Sequence, residues 1–305
     1  MKKMKNLFAI LSLTILAVAF LFSLPQAQDG VALLKIDHGA RLAGMGSTFP
    51  GSSNDPNAAV FNPAAAAGFE KFTASFGHTE YWENIRLESG FMAAGLTPKL
   101  FIHAGIRFAA VDGLELRPPF PKADPIAEFE AHDVSFKGGF AYRINPRLDI
   151  GIGAGWIIEK IGSYRGSSFN VDIGARYQAT AKIELAGSAL SLGSSFRLEQ
   201  AGLIGSNDIS LPTTYRLGAA YEYNERYNGA AELVYLDDEA HLHLGAESIV
   251  NEIFSVRTGY MLNYDSKSFT AGATFTKRNM SVDYAFIPFS NNLGTSHLFN
   301  LNFSL

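Results

Sequence analysis

His241 and His243, with Glu247 four residues beyond the second, form the most metal-like spacing in this 305-residue chain. On a strand all three share one face, because side chains alternate sides with a period of two. An ordinary polar strand face gives the same pattern, and no metal centre is expected from it. Asp237-Asp238-Glu239 offers the carboxylates that calcium takes, but a solvated acidic turn gives the same run. Gly151-Ile152-Gly153-Ala154-Gly155 has the glycine density of a phosphate loop, yet it lies in an alternating apolar segment with no helix after it. No Gly-x-Ser-x-Gly elbow occurs, and with 0 cysteines there is no thiol nucleophile, disulfide framework or thiolate metal site. Neither catalysis nor a cofactor is expected.

The elements that carry these residues are strands. The composition is rich in Gly (29), Phe (24) and Tyr (12), and 47% of residues are hydrophobic, too apolar for a disordered chain. A formal charge of −4 leaves no basic footprint for nucleic acid. Residues 1–27 read as a secretory signal peptide: Lys2, Lys3 and Lys5 precede the apolar run Leu7–Leu24, and Pro25-Gln26-Ala27 closes it. The competing reading is a membrane anchor, but no basic stop-transfer cluster follows and Pro25 ends the run.

From residue 72 the hydrophobic period is two. Phe169, Val171, Ile173, Ala175 and Tyr177 alternate with Asn170, Asp172, Gly174, Arg176 and Gln178. Fourteen such segments are expected, at 72–80, 85–97, 99–109, 131–144, 147–161, 167–179, 181–192, 212–223, 227–236, 240–250, 253–264, 268–277, 279–288 and 296–305. Each is near the 9–11 residues that a tilted strand needs to cross a bilayer, and the count is even. Backbone groups in lipid must all be paired, which only a closed barrel of strands achieves. The fold expected is an all-β, 14-stranded antiparallel transmembrane barrel of the bacterial outer membrane, occupying residues 71–305. Outer-membrane lipid and lipopolysaccharide then surround it.

Alternation assigns the lumen charges Arg107, Lys137, Arg143, Asp172, Arg176, Arg216, Glu222 and Arg257, with Arg86 and Glu88 beside them. Both signs are interspersed, whereas a selective ion pore tends toward rings of one sign. Residues 28–70 lack the period of two and are expected to plug the lumen. The connections Ala110–Glu130 and Gly193–Leu211 are expected as long outer loops. Their apolar residues Leu114, Leu116, Phe120, Phe196 and Leu203 either pack together or form a surface for a hydrophobic ligand or a protein.

Two stretches carry a resemblance. Gly39-Ala40-Arg41-Leu42-Ala43-Gly44-Met45-Gly46-Ser47, then Asn54-Asp55-Pro56-Asn57-Ala58-Ala59 and Phe61-Asn62-Pro63-Ala64, resemble the N-terminus of the PorV/PorQ family. Val282-Asp283-Tyr284-Ala285-Phe286 and Leu293-Gly294-Thr295-Ser296-His297 resemble that family's ending. The family belongs to the wider FadL-type fourteen-stranded barrels, which carry an N-terminal hatch. The resemblance implies that Gly39, Arg41, Gly44, Gly46, Asn62, Pro63 and Ala64 belong to such a hatch. It also implies a non-enzymatic role in type IX protein secretion and surface attachment, with secreted proteins as partners. The alternative is FadL-like uptake of long-chain fatty acids or other hydrophobic compounds.

Overall fold

The computed structural model describes residues 30–50, 55–81, 85–120, 124–200, 203–204 and 208–305; the expected signal peptide at 1–27 lies outside them. Strands β1 (Thr73–Glu80), β2 (Arg86–Gly95), β3 (Leu100–Leu116), β4 (Ala127–Asn145), β5 (Leu148–Ile161), β6 (Tyr164–Gln178) and β7 (Ile183–Gly193) pair in sequence, all antiparallel. A small hairpin, β8 (Glu199–Gln200) and β9 (Leu203–Ile204), hangs on β6. The wall resumes with β10 (Thr214–Asn224) against β7 and continues through β11 (Tyr227–Leu236), β12 (Glu239–Ile249), β13 (Phe254–Leu262), β14 (Phe269–Lys277), β15 (Met280–Pro288) and β16 (Thr295–Ser304). Strand β16 pairs back onto β1, Thr73 opposite Ser304, so fourteen strands close a ring.

The two faces of the wall differ as lipid and lumen require. On β6, Ile173 is 47% exposed on the outside while its neighbour Asp172 is 2% exposed inside. Ile150, Ile152, Trp156, Phe136, Phe140, Leu217, Leu233, Val256, Phe275 and Phe299 extend the apolar exterior. A closed barrel wearing that surface is at rest only in a bilayer, and the chain is an outer-membrane β-barrel.

Two expectations need correction. The 110–130 connection is mostly strand: β3 and β4 run on as a hairpin, Leu114 opposite Phe129 and Leu116 opposite Ala127. Backbone pairing does not require a lipid-facing side, so this ladder outlasts the alternation, and Pro118, Pro119 and Pro125 confine the turn. Arg86 and Glu88 point outward, where Arg86 meets Asp112 and Glu88 meets His78 at 2.7 Å. Their neighbours Leu87 and Phe91 face inward because apolar groups of the N-terminal segment wait there to cover them.

That segment occupies the lumen. It contains α1 (Ala40–Gly44) and three 3₁₀ turns, at Ala32–Leu34, Pro56–Val60 and Pro63–Gly68. Two of these turns start alike: Asp55 and Asn62 cap the backbone N–H of Asn57 and Ala64, each with proline at the first helical position. Helix α1 rests on β13–β16, and the Pro63–Gly68 turn on β3–β6. Here backbone meets backbone. A Cβ at Gly259 would fall on the Gly46 nitrogen, at Gly245 on the Met45 oxygen, at Gly151 on the Ala64 nitrogen and at Gly174 on the Asn62 side chain. The wall glycines are sockets for the segment.

Both features can be measured. Ile173→Arg, near the middle of the apolar belt, should cost about 2–4 kcal/mol of barrel stability, and Tyr177→Arg at its edge about 0–1 kcal/mol. Unfolding titrations in lipid vesicles compare them, and equal effects would contradict the assigned depths. Gly259→Val should displace the lumen segment and raise single-channel conductance in planar bilayers. Gly90→Val should leave it unchanged, since a Cβ there meets nothing nearer than 3.8 Å.

Candidate functional site

The lumen segment is fixed to the wall by polar contacts at each level, buried except at the outer end. Arg41 donates to both carboxylate oxygens of Glu247 at 3.2 and 3.0 Å. Glu247 also accepts from Arg257 at 2.7 Å and Asn228 at 2.8 Å. Arg216 is held by Glu232 at 2.7 Å and donates to the Ser47 carbonyl at 2.6 Å, while the Phe49 N–H donates to Glu232 at 3.0 Å. Nearer the outer end, Lys35 pairs with Asp237 at 2.6 Å and Asp37 with Lys267 at 2.7 Å. Val31 and Leu33 insert into an apolar cluster with Leu87, Ala109, Ile157, Phe196 and Leu211.

The predicted lumen charges fall in several places. Arg107, Lys137, Asp172, Arg216 and Arg257 are buried inside. Arg143 and Arg176 converge on Asp149 at 3.2 and 3.1 Å, and Arg143 also reaches the Ala67 carbonyl. Glu222 shares the inward parity of Arg216 but is exposed near the end of β10. The motif residues Gly39, Gly44, Gly46, Asn62, Pro63 and Ala64 are all buried, and Gly39 and Gly46 have positive φ.

His241, His243 and Glu247 are each engaged elsewhere. A ring nitrogen of His241 meets the Asn263 carbonyl at 2.7 Å, one of His243 meets the Tyr264 hydroxyl at 2.9 Å, and Glu247 serves the arginines. The predicted loop surface does not form as one patch. Phe196 is buried under the N-terminal segment, Leu114 is half-buried on β3, and Leu116 and Phe120 stand exposed on the β3–β4 hairpin. Leu203 lies on β9, and its side chain is outside what is described.

Between the lumen segment and the wall lies a cavity of about 60 Å³, lined by Asp37, His38, Ser47, Phe61, Arg107, Lys137, Arg216, His243, Tyr264 and Lys267 among others. Lys137 is matched by Asp172 at 2.5 Å, Lys267 by Asp37 and Arg216 by Glu232. Arg107 differs. It is 4% exposed, its Nε has no partner, and it makes no ion pair among the described residues. Ser135, directly opposite Arg107 on β4, also leaves its hydroxyl unused, as does the amide of buried Asn170 on β6. Burial, then the nearby Arg107 cation, hold His38 well below the usual histidine value, so it adds no charge at neutral pH. Burial alone would raise Asp37, but Lys267 outweighs it and keeps the carboxylate ionised. Among the described residues, Arg107 is thus the cation of this lining without an ion pair of its own, sharing the field of the Asp172 carboxylate that Lys137 binds directly.

A second space opens on the lipid side of the same wall. The β6–β7 register shifts between Val171 and Ile173, and the Asn62 amide donates at 3.1 Å to the Ala175 and Gly187 carbonyls of these two strands. Ser188 donates to the Phe61 carbonyl at 2.7 Å. Outside this seam lies a recess of about 530 Å³, walled by Ile150, Ile173, Leu217, Leu233, Tyr215 and Tyr235 and floored by Gly151, Gly174, Gly187 and Ser188. Arg216 lines both spaces and stacks its guanidinium 4.6 Å from the Phe61 ring. Arg216 is thus the side chain common to both, with Phe61 on the cavity side. Sequence reasoning missed the recess because its floor is glycine, which leaves no periodic signal.

No protein-family model and no curated protein sequence matches this chain. Solved structures do. The toluene transporter TodX of Pseudomonas putida superposes with a TM-score of 0.63 at 14% identity, covering 92% of this chain and 99% of that one. The monoaromatic hydrocarbon channel CymD gives 0.61 at 12% identity over 87% and 96% of the two chains. A Pseudomonas aeruginosa FadL homologue gives 0.56 at 12% identity over 91% and 98%. The fold of the chain is that of the FadL-type fourteen-stranded outer-membrane barrels.

Proposed function

We propose that this barrel is an outer-membrane channel for hydrophobic compounds bearing an acidic head, long-chain fatty acids among them. One observation carries the reading: a polar lumen cavity lined by Arg107, which has no ion pair among the described residues, and an apolar recess in the lipid-facing wall share Arg216, whose guanidinium stacks on Phe61. An amphiphile needs both environments. Its carboxylate offsets the buried charge of Arg107, and its chain leaves water for an apolar surface at about 0.8 kcal/mol per methylene. Passage runs either sideways, through the β6–β7 seam once Phe61 and Asn62 withdraw, or inward past the lumen segment. The three structural relatives are by name a toluene transporter, a hydrocarbon channel and a FadL homologue, which favours hydrophobic cargo over secretion.

The secretion and attachment reading keeps one observation of its own. The extended β3–β4 hairpin projects Leu116, Phe120 and Ile126, with Phe120 63% exposed, and a partner protein would cover them.

Titration of the purified barrel with a fluorescent fatty acid separates the two. Uptake requires saturable, micromolar binding that weakens about tenfold in Arg107→Gln, which corresponds to about 1.4 kcal/mol. Binding of the matching fatty alcohol should change little. Gly187→Phe, which fills the recess from outside, should slow uptake by cells while leaving binding intact. Absence of saturable binding, with a secreted protein co-purifying through the hairpin, would establish attachment instead.

The lumen segment adds a pH dependence. Burial, then Asp283, push the Asp55 carboxyl up from 3.8 to about 6. A raised acid pKa means the folded segment binds the proton more tightly, so its seating strengthens as pH falls through 6. Conductance in planar bilayers should be lower at pH 5 than at pH 7.5, and Asp55→Asn should remove the difference.

A further inference from the structure

The cations on the outer rim are mostly spoken for. Arg86 pairs with Asp112, Arg117 with Glu115 and Arg197 with Asp208. Lys160 on β5 and Arg165 on β6 are not: they stand directly opposite each other, both exposed, with no ion pair among the described residues. Like charges directly across an antiparallel pair, with Cβ atoms about 5 Å apart, repel one another and weaken the ladder. Their parity is outward, the same as Trp156 and Ile152, so both reach toward the outer leaflet.

Below them the exterior is apolar. Trp156 opposes Phe169, then Ile158 opposes Ser167, then Lys160 opposes Arg165, and the hairpin turns at Gly162 and Ser163. The pair therefore sits two same-face steps above the aromatic edge of the belt, on the headgroup side of it. Beside it runs a cleft of about 640 Å³ lined by Trp156, Arg165, Ser167, Phe196, Arg197 and Glu199.

We propose that Lys160 and Arg165 hold a phosphate of an outer-leaflet glycolipid whose sugar lies in this cleft. The chemistry of the cleft selects a phosphorylated sugar over a bare phosphate. The two cations bind phosphate oxygens, Arg165 in the fork geometry that suits them. Ser167 and Glu199 meet sugar hydroxyls, and the half-exposed Trp156 offers a ring face. The lipid's acyl chains continue down the apolar belt. Bound phosphate also removes the Lys160–Arg165 repulsion, so the site stabilises the β5–β6 hairpin.

The test uses the full-length barrel in detergent, titrated with diphosphoryl lipid A and followed by native mass spectrometry and thermal unfolding. Lipid A should bind and raise the unfolding temperature, and K160Q/R165Q should bind it roughly 30-fold more weakly, at about 1 kcal/mol per cation. The control R147Q, in the β4–β5 turn at the opposite end of the barrel, should behave as the parent. Dephosphorylated lipid A should bind the parent and the double variant alike. Equal lipid A affinity in parent and double variant overturns the proposal. So does equal binding of lipid A with and without its phosphates, which would mean acyl chains alone are recognised. Equal stabilisation by inorganic phosphate would make this a free-anion site and overturn it as well.

Discussion

A wall of fourteen strands encloses more space than its own inward side chains can fill, and the rest of this structure follows from how that space is occupied. The filling is main chain, laid against wall glycines: Gly44 and Gly46 against β12–β14, Asn62 to Ala64 against β5 and β6. Main chain brings unpaired N–H and C=O groups into a buried place, and each must find a partner. The wall supplies them. Asn300 accepts from the Ala40 N–H at 2.7 Å, Thr270 accepts from Gly46 and donates to Gly44, and Arg216 donates to Ser47. Inward polar residues in this barrel therefore serve first as complements to a buried chain.

The same constraint explains why the lumen charges have mixed signs. Arg41, Glu247, Arg257 and Asp283 form one connected group in which each charge has an opposite neighbour. Removing one partner from such a group leaves a buried charge, at a cost of about 3–5 kcal/mol. Against that background Arg107 stands out by chemistry as well as by arithmetic. Among the described residues Lys137, Arg216 and Lys267 each have a carboxylate within ion-pair distance, whereas Arg107 has none and feels only the Asp172 carboxylate that already holds Lys137.

The barrel was legible in the sequence because lipid imposes a rule on every strand: apolar outside at every second residue, unbroken across the belt. All fourteen wall strands lie where alternation placed them, as with Phe169 to Tyr177 on β6. Legibility ended where the rule lapses. Above the belt, β3 and β4 extend as a ladder with no lipid-facing side, and nothing in the residues 110–130 marks that pairing. On β2 the apolar residues turn inward toward the lumen segment, so parity alone gave Arg86 and Glu88 the wrong face. The cavity and the recess were unreadable for a further reason. The recess is floored by wall glycines, which have no side chain to declare a face, and the cavity depends on which residues of the lumen segment come to lie beside Arg107.

These limits bear on function. The features on which the proposed conduit rests are small departures within a regular wall: a register shift beside Asp172, an asparagine amide bonded to two adjacent strands, a phenylalanine stacked under an arginine. At the β6–β7 seam the Asn62 amide bonds to two wall carbonyls at once. The two strands pair directly there, Ala175 opposite Gly187, and Asn62 braces that pair from inside. The contacts that seat the segment near Asn62 and those that brace the β6–β7 pair from inside are thus one set.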